Sequence, residues 1–357
     1  MQNQKIDNRL YHYDLMRIIA CFFVILIHVG VYDQIAGYGN SDFQTLVMNF
    51  YGIIARWAVP CFVMLSGMMF LNKNKDIPIK KLYFRYILRL FTSYLFWSLV
   101  YCIYNMLYST NRSLTECVSY IINNWLSGEI HMWYILMTIG LYIIAPILKY
   151  LINNAPKQLI KYWLIIMFVF ASIIPFVSDL NIPLISGYIS YLNQYIEAYF
   201  LLGYTLFFIL GYYLSINDIS PKKEKLIYIF GIIGFAYSVM ILIVFKALFS
   251  INLGALNYLY PNIIAMSLAV MVFFKQRVSK ISFSDKSKAI ILSLSKLTYG
   301  AFLIHILVLK VLYHLGINLA ICNISISAIV VTFIAFVISL GITFVISKIP
   351  FINRYIC

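Results

Sequence analysis

The chain has 357 residues, of which 63% are hydrophobic and 11% charged, and its formal net charge is +15. No water-soluble domain of that length needs so much apolar surface, so the composition describes a polytopic membrane protein. The positive charge is not a nucleic-acid signal, because basic residues gathered in alternate loops of a membrane protein set its topology.

Ten apolar segments follow in chain order, over residues 15–32, 46–71, 90–108, 133–150, 162–177, 198–215, 226–245, 261–274, 297–314 and 325–347. The first is expected to be retained, since Arg17 interrupts its start and no small-residue cleavage pattern precedes the polar stretch at Asp33. The connections alternate in charge. Asp33 to Thr45 has no Lys or Arg, whereas Asn72 to Arg89 holds Lys73, Lys75, Lys80, Lys81, Arg85 and Arg89. Arg112 stands alone in the third connection, Lys149, Lys157 and Lys161 mark the fourth, and Ser178 to Gln194 has none. Lys222, Lys223 and Lys225 follow, then Lys246 alone, then a crowd of five from Lys275 to Lys288, then none from Leu315 to Ile324. One topology satisfies every loop: an all-α protein of about ten transmembrane helices with both termini cytoplasmic. No repeat or second domain interrupts it, so residues 1–357 read as one transmembrane domain.

The first segment places Arg17 and His28 inside sequence otherwise greasy enough to cross a bilayer, where ionisable groups are functional suspects. Their spacing turns a helix through about 1100°, close to three full turns, so both side chains share one face roughly 16 Å apart along the axis. Arg17 is either a snorkelling anchor or a fixed cation for a substrate. His28 is either an interhelical hydrogen-bond partner or a general base.

In the next stretch Arg56 sits mid-segment before Pro60, too deep to reach either surface, and ties freed carbonyls or holds substrate. Ser66-Gly67 reads as close helix packing rather than as a nucleophile, since no local partner activates the serine. Arg85 and Arg89 are four apart on one helix face, with Lys81 beside them; such a face clamps phosphates or anchors to headgroups. Glu129 and His131 lie just outside the fourth segment, where Trp133 and Tyr134 suit an interfacial belt and a substrate would arrive from outside. Glu197 at the start of the sixth segment and His305 within the ninth are the other polar groups able to converge on the same cavity, with Lys310 and His314 nearer its outer end. The six cysteines show no paired metal spacing, and no metal site is expected; the topology puts Cys117 and Cys322 on the outer side of the membrane and Cys357 on the cytoplasmic side.

Tyr13-Asp14-Leu15-Met16-Arg17, followed by ten residues and His28, resembles the opening motif of the acyltransferase-3 family of bacterial membrane O-acyltransferases. Val59-Pro60-Cys61-Phe62-Val63-Met64-Leu65-Ser66-Gly67 is similar to the family's second-helix signature, and His131-Met132-Trp133-Tyr134 through Pro146 to its His-x-Trp helix. Leu297-Thr298-Tyr299-Gly300-Ala301-Phe302-Leu303-Ile304-His305 resembles its Tyr-Gly-x-x-Leu-x-His segment, so the likeness covers nearly the whole chain. It is nearest to short members without an appended esterase-like domain, such as those acetylating enterobacterial common antigen.

The resemblance implies transfer of an acyl group, in the first instance acetyl, from cytoplasmic acyl-CoA to a hydroxyl of a cell-surface polysaccharide or lipid-linked glycan. It implies a bacterial cytoplasmic membrane, with acyl-CoA as donor rather than a bound cofactor, and an Arg-rich donor motif at Lys81, Arg85 and Arg89. His28 and Arg17 are then the expected catalytic pair; Arg56, Glu129, His131, Glu197 and His305 are the expected substrate-binding set. The rival is a transporter or flippase for a lipid-linked sugar or small metabolite, although the paired, interrupted halves common in transporters are not visible.

Overall fold

Apolar segments of this length leave no backbone group unpaired in lipid only by becoming helices or closed barrels, and this chain takes the first solution. A computed structural model describes residues 9–35, 42–108, 114–180, 203–245, 257–350 and 355–356. Among them are α1 (Tyr11–Ile35), α2 (Asp42–Ala55), α3 (Ala58–Phe70), α4 (Ile79–Leu107), α5 (Leu114–Asn124) and α6 (Trp133–Asn154). Then come α7 (Lys157–Asp179), α8 (Thr205–Ile216), α9 (Pro221–Ile243), α10 (Pro261–Gln276), α11 (Asp285–His314) and α12 (Ile324–Ser347). No strand occurs among the described residues, and eight helical spans there are long and apolar enough to cross a membrane.

Three boundaries differ from the hydropathy reading. The second segment is not one helix: α2 stops at Ala55 and α3 starts at Ala58, with Arg56 and Trp57 in the turn between. Pro60 falls in the first turn of α3, where its missing N–H leaves no ladder bond unmade. α4 begins eleven residues or so before the apolar run, and a π-helical turn over Leu82–Ile87 carries the basic cluster into the membrane-facing helix. α11 likewise begins at Asp285, its first turn capped by Ser284, whose hydroxyl accepts from the Ser287 N–H at 3.2 Å. Hydropathy marks the part of a helix that lipid tolerates, whereas capping and backbone hydrogen bonds decide where it starts.

The short α8 is held by backbone contact with α3. A Cβ on Gly67 would lie 1.8 Å from the Phe208 carbonyl oxygen, and one on Gly211 would lie 2.0 Å from that of Met64. The two glycines let the helices touch reciprocally, which is how small residues drive packing where lipid removes the hydrophobic drive.

α1 lies between the two main core clusters, giving Met16, Ala20 and Val24 to one and Cys21, Ile25 and Val29 to the other. It packs on α2, α3, α11 and α12. It runs parallel to α11: Ser295 donates to Asp14 at 2.9 Å, Cys21 to the Thr298 carbonyl at 3.6 Å, and Tyr313 to the Val29 carbonyl at 3.2 Å. The start of α4 stands at the same end as the starts of α1 and α11, and the last described residues join it: Thr92 donates to the Tyr355 carbonyl at 2.5 Å and Trp97 to that of Ile356 at 3.0 Å. Asn105, Glu129 and Lys310 meet at the opposite end. This sorting of basic loops to one end is the one that the alternating charges require. Cys21, Cys61 and Cys102 are buried, Cys117 and Cys322 are free thiols, and Cys357 lies outside the described residues.

Candidate active site

Two connected spaces lead inward from the basic end. The outer one is a vestibule of about 970 Å³ whose cations are Arg85, Arg89 and Lys296, set among Tyr86, Tyr299 and Tyr355. Arg89 stands over the Tyr299 ring at 5.4 Å, and the Tyr299 hydroxyl is fixed against Ser93 at 2.5 Å. Leu90, Tyr142 and Tyr299 line both this vestibule and a narrower cavity of about 180 Å³. Arg17, Val24, Ser66, Tyr134 and Phe302 are among the walls of that cavity. The passage therefore changes from cationic and wide to mostly apolar and tight as it rises.

Arg17 reaches the cavity with its charge already shared. The buried Asp14 carboxylate accepts from Arg17 Nη1 at 2.8 Å, from Arg9 Nε at 2.6 Å and from Ser295 Oγ at 2.9 Å. Two arginines on one carboxylate leave the group net positive, and the carboxylate fixes the direction in which the Arg17 fork points. A guanidinium so held has a fixed direction, toward the wall of the cavity.

Above the cavity three imidazoles form a cluster. His28 comes from α1, His131 from the turn that opens α6, and His305 from α11; their ring centroids are 5.1 Å (His28 to His305), 4.8 Å (His131 to His305) and 6.1 Å (His28 to His131) apart. Phe302, which lines the cavity, lies 5.2 Å from His131 and 5.8 Å from His305, and Val24 is one helical turn from His28. His131 and His305 are fully enclosed, while His28 stays partly accessible. His131 Nε2 lies 3.3 Å from the Leu303 carbonyl and His305 Nδ1 lies 2.6 Å from that of Phe302. A carbonyl oxygen only accepts, so each of those nitrogens carries the hydrogen and the other nitrogen of each ring is bare. Tyr101 secures the same stretch of α11, donating to the Leu303 carbonyl at 2.7 Å and accepting from the Leu307 N–H at 3.2 Å. Among the described residues no three His, Cys, Asp or Glu side chains are disposed to hold a metal ion.

His28, His131 and His305 thus share one place, the convergence that the sequence reading allowed for His305, although it set His131 just outside the membrane span. His131 is corrected most. It is not at an exposed outer interface but 1% exposed, because the turn closed by the Met132 N–H to the Glu129 carbonyl at 2.8 Å folds it beneath α6. Tyr134 is corrected with it, lining the cavity between Phe62 and Phe302 rather than forming an interfacial belt. Glu129 sits two residues from His131, but its carboxylate is paired with Lys310 at 2.6 Å, and Lys310 also donates to Asn105 at 2.6 Å. Arg56 faces the Tyr258 ring at 4.5 Å, near Trp133 and Tyr204 rather than in the imidazole cluster. Lys81 is exposed and is not part of the vestibule wall, and Glu197 lies outside the described residues. Three residues the sequence reading passed over carry the site's architecture: Asp14, Lys296 and Tyr101. Asp14 alone was findable, as a carboxylate three residues before an arginine in an apolar run.

A polytopic helical protein with a cation-lined passage whose inner wall, at Val24 and Phe302, adjoins clustered imidazoles is a membrane protein built around an internal reaction or binding chamber. Residues 10–348 match the acyltransferase-3 family, an acyltransferase domain, and the chain belongs to that family of membrane acyltransferases. No curated protein and no solved structure shows significant similarity to it. Membership favours the transferase reading over the transporter.

Proposed function

We propose that the protein moves a short acyl group, acetyl in the first instance, from acyl-CoA in the cytoplasm to a hydroxyl of a cell-surface polysaccharide or its lipid-linked precursor, working in a bacterial cytoplasmic membrane. The observation that carries this is the continuity of the passage: a vestibule with Arg85, Arg89 and Lys296 at its mouth shares Leu90, Tyr142 and Tyr299 with a narrower, mostly apolar cavity lined by Arg17 and by Val24, one helical turn before His28. Three cations in a wide mouth suit the phosphates of CoA, and the slender pantetheine arm suits the narrow part. The basic end is the cytoplasmic one by the distribution of its loops.

In the reaction His28 accepts the proton of the acceptor hydroxyl as the oxygen attacks the thioester carbonyl. The carbon–sulfur bond breaks, the new carbon–oxygen ester bond remains, and the departing thiolate takes the proton from the imidazolium to leave free CoA. Such general-base assistance contributes about 10²–10⁴-fold in rate. Arg17, aimed by Asp14, supplies positive charge in the cavity near the thioester. Mass analysis of surface glycans from cells with and without the gene, beside transfer from radiolabelled acetyl-CoA by purified protein, tests the reading. Glycans of unchanged mass, together with no label transfer, would overturn it.

A further inference from the structure

The order of residues along the narrow cavity shows which wall closes it. α6 starts at the end opposite the vestibule, where Glu129 meets Lys310, and it ends beside the end of α3, where Asn153 donates to the Leu71 carbonyl at 3.3 Å. α3 and α6 therefore both run against α1 and α11. Tyr142 and Tyr299 line the vestibule as well as the cavity, so they mark its near end. Farther from the basic end, Phe302 follows Tyr299 on α11, Tyr134 precedes Tyr142 on α6, and Phe62 precedes Ser66 on α3. Eight residues of helix separate Tyr142 from Tyr134, a depth of about 12 Å.

The three far residues form one aromatic wall. Tyr134 stands between Phe62 at 6.4 Å and Phe302 at 5.4 Å, centroid to centroid, with its ring steeply inclined to both, the arrangement in which aromatic rings hold one another. Phe302 is backed in turn by the His131 ring at 5.2 Å. The space in front of the wall is about 180 Å³. A dry cavity of about 150 Å³ takes a benzene molecule, so this one has room for little more than six or seven heavy atoms. An acetyl thioester with the carbons and nitrogen of its cysteamine end has seven. The four further methylenes of a hexanoyl chain, at roughly 30 Å³ each, close to the share of one water, would need more than half of that space again. We infer that Phe62, Tyr134 and Phe302 set the length of the acyl group, admitting acetyl and propionyl thioesters and refusing hexanoyl. The inference rests on the proposed use of acyl-CoA and adds to it a limit and the residues that impose it. Phe62 is the member to vary, since Phe302 touches two imidazoles and Tyr134 stands three residues from His131.

The test is equilibrium competition of acetyl-, propionyl-, butyryl- and hexanoyl-CoA against radiolabelled CoA on the purified full-length protein in lipid nanodiscs, which needs no acceptor. In the wild type acetyl- and propionyl-CoA should bind within about threefold of each other and hexanoyl-CoA at least about tenfold more weakly, the scale on which a closed apolar pocket discriminates methylenes. Phe62→Ala removes six carbons, more than the four that separate hexanoyl from acetyl. It should tighten hexanoyl-CoA binding by at least about tenfold and leave acetyl-CoA within about threefold of the wild type. Phe62→Leu removes three carbons and keeps the wall filled, so it should admit butyryl but not hexanoyl, and it supplies the reading if the alanine variant does not fold. A wild type that binds hexanoyl-CoA as tightly as acetyl-CoA would overturn the inference without reference to any variant. So would a folded Phe62→Ala or Phe62→Leu that keeps the wild-type order of affinities. Failure of CoA and of every ester to bind would overturn the donor reading as well, whereas equal binding of all the esters leaves that reading intact and removes only the limit on length.

Discussion

The two ends of the passage satisfy their polar groups in opposite ways. At the basic end Asp14 is surrounded by Arg9, Arg17 and Ser295, and the vestibule cations line a wide space among tyrosine side chains, Arg89 over the Tyr299 ring. At the inner end each imidazole keeps one nitrogen unbonded in a buried setting. A group that only binds loses nothing by being satisfied beforehand and screened. A group that must exchange a proton needs an open valence, and an open valence has consequence only where water does not fill it. The difference separates the part of the site suited to holding a donor from the part suited to chemistry.

The largest effect that would break this contrast is at His28. His28→Ala should remove at least about 10²-fold of the transfer rate per folded molecule while acetyl-CoA binding stays near wild type. Because the base must be neutral, transfer by the wild type should also fall as the medium is acidified, whereas donor binding should not follow it. If His28→Ala spares turnover but lowers thermal stability and yield, the imidazole is structural and the inner end is not a reaction centre.

Next in size is Asp14. Removing a buried carboxylate that two arginines share should cost about 3 kcal/mol in stability, and it should weaken transfer because Arg17 loses its direction. Chemical denaturation and donor titration of Asp14→Ala read both. A variant as stable as the parent would mean that the ion triad is not what fixes the lower end of α1.

At the vestibule, Arg85→Ala or Arg89→Ala should each weaken acetyl-CoA binding roughly tenfold, the size of one charge-assisted contact, with a steep dependence on salt. Arg→Lys should recover only part of it, since a point charge does not reproduce the guanidinium fork. The smallest effect is Lys81→Ala, which should leave the dissociation constant unchanged because Lys81 is exposed and off the vestibule wall. Equal losses from Lys81 and Arg89 would mean that diffuse charge attracts the donor and that the vestibule is not its site.

Much of this was readable in the chain. The all-α membrane class followed from apolar length, since lipid permits few other solutions, and the ends to which loops sort followed from Lys and Arg counts. Arg17 and His28 share a face because a helix repeats every 3.6 residues, which spacing alone reveals. Ser66-Gly67 announced close packing, and Gly67 does touch the α8 backbone. What stayed hidden depended on turns and on distant partners. His131 is internal because of a turn four residues long, and hydropathy, which averages over many residues, places it at the surface. Its meeting with His28 and His305 joins positions about 100 and 170 residues apart along the chain, a contact that no local pattern encodes. The tautomers were the least legible of all, since they depend on which carbonyl oxygens, Leu303 and Phe302, happen to lie beside each ring. Sequence thus determined the environment and the kinds of chemical group available, because solvent and helix period act locally. Only the tertiary structure decided which groups meet and which nitrogen carries the hydrogen, because hydrogen bonding depends on positions to within a few tenths of an ångström.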